Sequence, residues 1–272
     1  MTNRTLMAVG AHADDIEVTV GGTLLKYRDA DYGVVYVMAT NNMSGNWNYL
    51  NPDGSVKYTS PPHHVIEPQR KLEAAAAAKA LGTDAIHLDH PQRHYFREDT
   101  TVAEVRYGCP LPSGVAADIP TILTAYEHAP SVKRLADLIL ERNPEAVFTH
   151  SPIMVNIEHF ATCLLVTNAY WQAVKGGYDG MLLHWQDITV GPFGEAYVPW
   201  DTFVDVTPYW DRKFELLGLH ACQIPVPGNM NLPPWGAACG CGRAEVFHMV
   251  SKGTRPDQGT PFNLEILRNC AR

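Results

Sequence analysis

The segment Ala11-His12-Ala13-Asp14-Asp15-Ile16-Glu17 sets one imidazole beside three carboxylates. An imidazole and a carboxylate three residues apart on a tight loop can turn toward one point. Nitrogen-plus-carboxylate ligation of this kind suits Zn²⁺ at roughly 2.0–2.2 Å, and a catalytic site needs three protein ligands plus a water. His12 and Asp15 would supply two ligands, and Asp14, beside Asp15, could reach the water rather than the ion. Asp14, Asp15 and Glu17 would repel one another in a dry pocket, and a bound cation removes that objection. The same residues also read as ordinary structure, with His12 a loop histidine and the aspartates N-caps of the next helix.

The third ligand has to come from elsewhere, and Asn156-Ile157-Glu158-His159 offers it. His159 falls in the first turn of an expected helix, where its side chain can point back toward the strand ends. Asn156 also reads as that helix's N-cap and Glu158 as a first-turn acid favoured by the helix dipole. Capping and ligand positioning are compatible.

The surrounding pattern predicts how these segments meet. Leu6–Ala11 is a continuous apolar run, as a strand buried on both faces should be. A helix follows from about Val18 to Arg28, then a strand at Val34–Ala39, an Ala-rich helix at Gln69–Leu81 and a short strand at Ala85–Leu88. Ser131 is read as the cap of a helix with Val132, Leu135, Ala136 and Ile139 on one face. Ala146–Thr149 is a fourth strand, followed by a helix from about Ile157 to Val174. The expectation is an α/β fold, Rossmann-like and doubly wound, with a mostly parallel sheet and a smaller β-rich C-terminal part. Strands 1 and 4 of such a sheet are commonly neighbours at the switch point, which would bring the two segments face to face. The C-terminal strands are expected at Met181–Trp185, Ala196–Val198 and Phe203–Val206, with a helix opened by Thr207 as N-cap. Two segments, 41–68 and 89–130, resist assignment and read as long loops forming substrate walls or lids. One domain over residues 1–272 is expected.

Composition narrows the function classes. The 272 residues carry a formal charge of −8 with 18% charged and 46% hydrophobic residues. That suits a globular protein with a sizeable core and argues against a nucleic-acid partner, which needs a concentrated basic surface. No apolar run approaches the roughly 18–20 residues of a membrane span. The N-terminus shows no secretory signature, so a cytoplasmic location is expected. The six cysteines are irregularly spaced and read as reduced thiols. Nothing in the sequence excludes a homo-oligomer.

The two segments resemble the LmbE-like / PIG-L family of zinc N-deacetylases, whose first motif reads A-H-P-D-D followed by Glu and whose second reads H-P-D-H. Further pieces agree in order: Gly21-Gly22-Thr23-Leu24, Arg70-x-x-Glu73 leading to Leu81-Gly82, Ala221-Cys222-Gln223 and Ala244-Glu245-Val246-Phe247. The resemblance implies one divalent ion, Zn²⁺ with Fe²⁺ as an alternative, held by His12, Asp15 and His159, with Asp14 as general base. It implies that Glu17 and Glu158 are carboxylates supporting the ligands, and that Arg70 lies near the substrate; Arg70 also reads as an ion-pair partner of Glu73.

This sequence departs from the motifs at Ala13, in place of Pro, and at Asn156, in place of the first His of H-P-D-H. An Asn amide can donate to an oxyanion but cannot act as an acid near neutral pH. The proton donor is therefore open among protonated Asp14, His150, His90, His94, His64 and His63. The family implies an N-acetylglucosamine glycoside as substrate. The aromatics Trp47, Tyr49, Tyr58 and Tyr95 in the long loops tilt this toward a bulky conjugate such as a glycosylated natural product. The competing readings are a metal-stabilised glycan-binding module and, more remotely, a dinucleotide-binding oxidoreductase. The latter needs G-x-G-x-x-G after strand 1, where this chain has Gly10-Ala11-His12-Ala13-Asp14-Asp15.

Overall fold

A computed structural model describes residues 4–105, 111–113, 115, 118–186, 200–230, 232, 235–254 and the backbone of 265–266. The strands are β1 (Thr5–Gly10), β2 (Gly33–Thr40), β3 (Trp47–Leu50), β4 (Val56–Thr59), β5 (Ala85–His90), β6 (His94–Phe96) and β7 (Val102–Glu104). They continue with β8 (Ala146–His150), β9 (Met181–Trp185), β10 (Thr202–Asp205), β11 (Ala244–Ser251) and β12 (Glu265–Ile266). The helices are α1 (Asp15–Thr19), α2 (Gly21–Asp29), α3 (His63–Ala80), α4 (Ile122–Ala125), α5 (Ala129–Arg142), α6 (Ile157–Lys175) and α7 (Trp210–Leu217). One eight-stranded sheet runs in the order β12-β10-β11-β9-β8-β1-β2-β5. Its β5-β2-β1-β8-β9 portion is parallel, and β11, β10 and β12 extend it antiparallel. The expected α/β fold is present, and the C-terminal strands continue the same sheet.

The continuous apolar runs of the central strands serve two cores at once. Along β1, Leu6 and Ala8 join the cluster under α1, α2 and α7, whereas Met7 and Val9 join the cluster under α4, α5 and α6. Alternate side chains of a strand point to opposite faces, so helices must cover both. β1 pairs with β8 from Leu6↔Ala146 to Val9↔Thr149, bringing the loops after these strands side by side.

Several expected boundaries move. The Ala-rich helix begins at His63, not Gln69, and carries Pro68 inside it. Pro68 cannot donate to the His64 carbonyl and its ring crowds that oxygen, a cost taken at an exposed position near the helix start. Residues 41–68 and 89–130 are not plain loops: they contain the hairpins β3–β4 and β6–β7 and the short helix α4. Ser131 lies inside α5, whose N-cap is His128 with Pro130 in the first turn. Thr207 starts a 3₁₀ turn capped by Val206, and Asp205 accepts from the Thr207 amide (2.9 Å) and hydroxyl (2.6 Å). The strand expected at residues 196–198 lies outside the described residues. Cys163 and Cys222 are free, buried thiols.

Two distant sequence pieces, Gly21-Gly22-Thr23 and Ala244-Glu245, have one structural reason. The Glu245 carboxylate accepts from the amides of Gly22 (2.9 Å) and Thr23 (2.7 Å), buried donors at the start of α2 that have no partner within the helix. A Cβ on Gly22 would stand 2.9 Å from Val206 and 3.1 Å from Glu245 Oε1, so glycine is required there. Lys213 of α7, itself buried, closes the arrangement at 2.5 Å from the same carboxylate. Removing one partner leaves a charge buried alone, which costs about 3–5 kcal/mol. Glu245→Ala is therefore expected to lower unfolding free energy by about that amount, read from the urea midpoint. A loss below about 1 kcal/mol would show the pair to be solvated in practice.

Candidate active site

The loop after β1 is tied down before it reaches any functional group. The Ala11 carbonyl accepts from the Thr40 amide (3.1 Å) and hydroxyl (2.7 Å) at the end of β2. The Ala13 amide donates to Asn42 Oδ1 at 2.8 Å. Gly10 lets the loop pack closely: a Cβ there would lie 3.1 Å from both Ile16 and Met38 and 3.2 Å from Asp15 Cβ, so those side chains would have to give by a few tenths of an ångström. Asp14 then takes a left-handed backbone, φ 106°, as the residue before α1. A non-glycine residue in that region carries strain of order 1–3 kcal/mol and is held there by its surroundings.

This turn aims Asp15 and His12 at His159, which the first turn of α6 presents from the neighbouring strand end. His12 Nδ1 lies 3.1 Å from His159 Nε2 and 3.4 Å from Asp15 Oδ2, and His159 Nε2 lies 3.3 Å from Asp15 Oδ1. All three side chains are buried. Three atoms each about 2.0–2.2 Å from one tetrahedral ion stand ~3.3–3.6 Å apart, so the spacing fits a single divalent ion. The local field points the same way. Burial would lower the affinity of His12 for a proton, but Asp15 and Glu158 outweigh it and raise its pKa to about 10. Burial works to raise Asp15, yet His159, His150 and His12 together hold it well below the usual carboxylate range. The donor set favours positive charge where its atoms meet.

Glu158 fixes the orientation of His12. His12 Nε2 is 2.7 Å from Glu158 Oε2, and an ionised carboxylate only accepts, so Nε2 carries the proton and Nδ1 offers its lone pair to the ion point. Burial opposes ionisation of Glu158, but the bond and charge of His12 with the Arg93 amide (2.6 Å) and Gln92 Nε2 (3.1 Å) bring it down to about 2. The loop after β5 thus supports Glu158, which supports the ligand. Such a partner is worth about 10- to 100-fold in metal affinity. Glu158→Gln is expected to weaken divalent-ion binding by about that factor in competition with a chromophoric chelator. Unchanged affinity would remove Glu158 from the metal centre.

Asp14 stands beside the ligands. Burial pushes its carboxyl up to about 6; Arg70 opposes the rise and the charge of Asp15 adds to it. Arg70 Nη2 lies 3.5 Å from Asp14 Oδ2, and the same guanidinium donates to the carbonyls of Ser44 (3.0 Å) and Ala13 (2.5 Å). Arg70 therefore pairs with Asp14 and not with Glu73. Glu73 instead accepts from the Cys222 amide (3.0 Å) and thiol (2.9 Å), which sets Gln223 against the site.

A cleft of about 350 Å³ opens over these groups, with Arg70, His94, Asn156 and Gln223 in its walls. Asn156 caps α6 through Oδ1, which accepts from the Glu158 amide at 3.0 Å. That bond fixes the amide's orientation and leaves Nδ2 as a donor at the cleft.

The other expected residues fall outside the cleft lining. Glu17 is fully buried 3.0 Å from His220 Nε2, and His220 in turn interacts with the charge of Asp14. His90 is buried with Nδ1 2.9 Å from the Pro120 carbonyl, so it cannot line the cleft. His150 is also fully buried, beneath the ligands: its ring stacks on His159 at 4.1 Å and its Nε2 lies 3.2 Å from Asp15 and 3.0 Å from the Ala11 amide. The Trp185 indole donates to its Nδ1 at 3.2 Å, so N–H donors face both ring nitrogens. Trp47 stacks on Tyr49 of the same hairpin (5.8 Å, 9°), outside the cleft lining. His63 packs against Tyr95, and His64 is exposed near Glu98. Gln92, Arg93 and His220 are site residues that sequence reasoning missed. The position of Gln92 and Arg93 directly after a parallel strand was the available signal.

Comparison with known proteins decides the family. The family model described as GlcNAc-PI de-N-acetylase, PIG-L, matches residues 7–170, a span holding His12, Asp14, Asp15, Arg70 and His159. The chain belongs to the PIG-L family. A curated relative, the 1D-myo-inositol 2-acetamido-2-deoxy-alpha-D-glucopyranoside deacetylase of Kineococcus radiotolerans, is 29% identical over 159 residues, 55% of this chain. The chain spans 39% of that relative's length. Among solved structures, the 4-carboxy-2-hydroxymuconate hydratase of Pseudomonas putida KT2440 is 19% identical with a TM-score of 0.64, covering 93% of this chain and 98% of that one. The diacetylchitobiose deacetylase of Pyrococcus horikoshii is 17% identical with a TM-score of 0.59 over 90% and 83% of the two chains. A deacetylase of the teicoplanin biosynthesis pathway is 18% identical with a TM-score of 0.61 over 92% and 100%. These likenesses show the PIG-L fold. They include a hydratase, so the reaction is argued from the site.

Proposed function

We propose that this PIG-L chain hydrolyses the acetamide of an N-acetylglucosamine unit carried on a larger conjugate, such as a glycosylated natural product, using one divalent ion. The carrying observation is Asp14, 3.5 Å from Arg70 and beside three converging ligand side chains at the floor of an open cleft. The family description and the curated relative, both deacetylases of glucosamine derivatives, support the substrate class. The His/Asp donor set suits Zn²⁺, and Fe²⁺ accepts the same ligands.

A divalent ion held by His12, Asp15 and His159 would supply the Lewis acidity that polarises the acyl carbonyl and makes water acidic near neutral pH. The chain's residues carry the proton and the charge. Asp14 takes the proton from the attacking water, with Arg70 holding its carboxylate in place. Asn156 Nδ2 donates to the carbonyl oxygen as negative charge develops there. Collapse breaks the C–N bond, and Asp14 returns the proton to the departing amine as acetate leaves. Burial keeps His94, the histidine in the cleft wall, below the usual imidazole range. It is therefore neutral near pH 7, and Asp14 serves as the proton carrier.

The test is acetate release from a panel of N-acetylglucosaminides. Release of one acetate per amine formed is expected. A second reading, glycan binding without catalysis, is favoured by Asn156 in place of histidine. It predicts saturable binding with no acetate.

A further inference from the structure

Beside the metal cleft lies a second cavity of about 430 Å³, and the two share Arg93 and His94 in their walls. The remaining lining is mostly apolar: Val102, Val105, Leu123 and Ile157, with Glu104. The β6–β7 hairpin forms one side and the start of α6 the other. Val102 is 52% and Ile157 47% exposed. Apolar side chains gathered at one rim of a polar cleft mark a binding surface, unlike isolated exposed ones.

We infer that this groove receives an apolar aglycone attached to the sugar whose acetamide is cleaved. The inference rests on the deacetylase reading above. The reacting amide must sit over His12, Asp15 and His159, which are all buried at the cleft floor. The acetyl group therefore lies at the floor, and the far end of the sugar faces the rim. Whatever the sugar carries meets Val102 and Ile157, one residue beyond Asn156. A volume of about 430 Å³ falls within the range that holds a drug-sized group. Burying one aromatic ring there would tighten binding about 10- to 100-fold.

Dissociation constants measured on the Asp14→Asn protein, which binds without turning over, test this. Phenyl and naphthyl glycosides of N-acetylglucosamine are compared with the free sugar and with N-hexanoylglucosamine. The naphthyl glycoside is expected to bind about 10- to 100-fold more tightly than the free sugar. Val102→Asp, on an exposed strand position, should abolish that gain without altering the free sugar's affinity, and Val102→Leu should retain it. Equal affinities, or a gain that survives Val102→Asp, would overturn the inference. A gain that follows the N-acyl chain and is lost in Val102→Asp would assign the groove to the acyl side and overturn it also. Acetate release from free N-acetylglucosamine by the unmodified protein reads the deacetylase proposal separately. Acetate release with no aglycone effect removes the groove alone. Absence of both release and binding removes both.

Discussion

Asp14→Asn is expected to lower kcat for deacetylation by about 10²- to 10⁴-fold, the range for loss of a positioned general base. The substitution isolates the chemistry. Asp14 holds φ 106°, a region where Asn is among the better-tolerated residues, so the turn should persist. His12, Asp15 and His159 keep their contacts, and metal content should be unchanged. The Asn amide can still face Arg70, but it has no basic oxygen for the water's proton. Rate, metal stoichiometry and melting temperature measured on one preparation check this. Near-native kcat would reject Asp14 as the base.

His159→Ala should have the larger effect, because it removes a ligand and leaves its neighbours unsupported. His12 Nδ1 loses a partner at 3.1 Å, Asp15 loses one at 3.3 Å, and the His150 ring loses the face it stacks on. Two remaining ligands make a poor site for a divalent ion, since structural and catalytic zinc sites need at least three. The expected outcome is no stoichiometric metal after gel filtration and a fall in turnover at least as deep as that of Asp14→Asn. Metal analysis by mass spectrometry, set beside acetate release, reads both. Retention of one tightly bound ion would mean that another residue completes the set.

The centre of the site was legible because strand periodicity and local motif agreed. Continuous apolar runs at Leu6–Ala11 and Ala146–Thr149 could only be strands covered on both faces, and adjacency of β1 and β8 then brings His12 and His159 together. What lay between those strands was less legible. The hairpin strands β3, β4, β6 and β7 are three or four residues long, with little buried alternation to read. The roles of Glu17, His90 and His150 could not be read because burial depends on packing from distant elements. Glu17 faces His220, more than two hundred residues away in sequence. Arg70 lines the cleft, but its partners could not be read: its guanidinium bridges Asp14, Ala13 and Ser44, a contact set that exists only once α3 crosses the β1 loop.

The most direct test of the central claim is to strip the protein with a chelator and add a divalent ion back in measured steps. Ion binding and acetate release from an N-acetylglucosaminide are followed on the same sample. One ion per chain should bind, no acetate should form before it, and full activity should return at one equivalent. Acetate released at an undiminished rate by the metal-free protein would contradict the proposal that His12, Asp15 and His159 act through a shared ion.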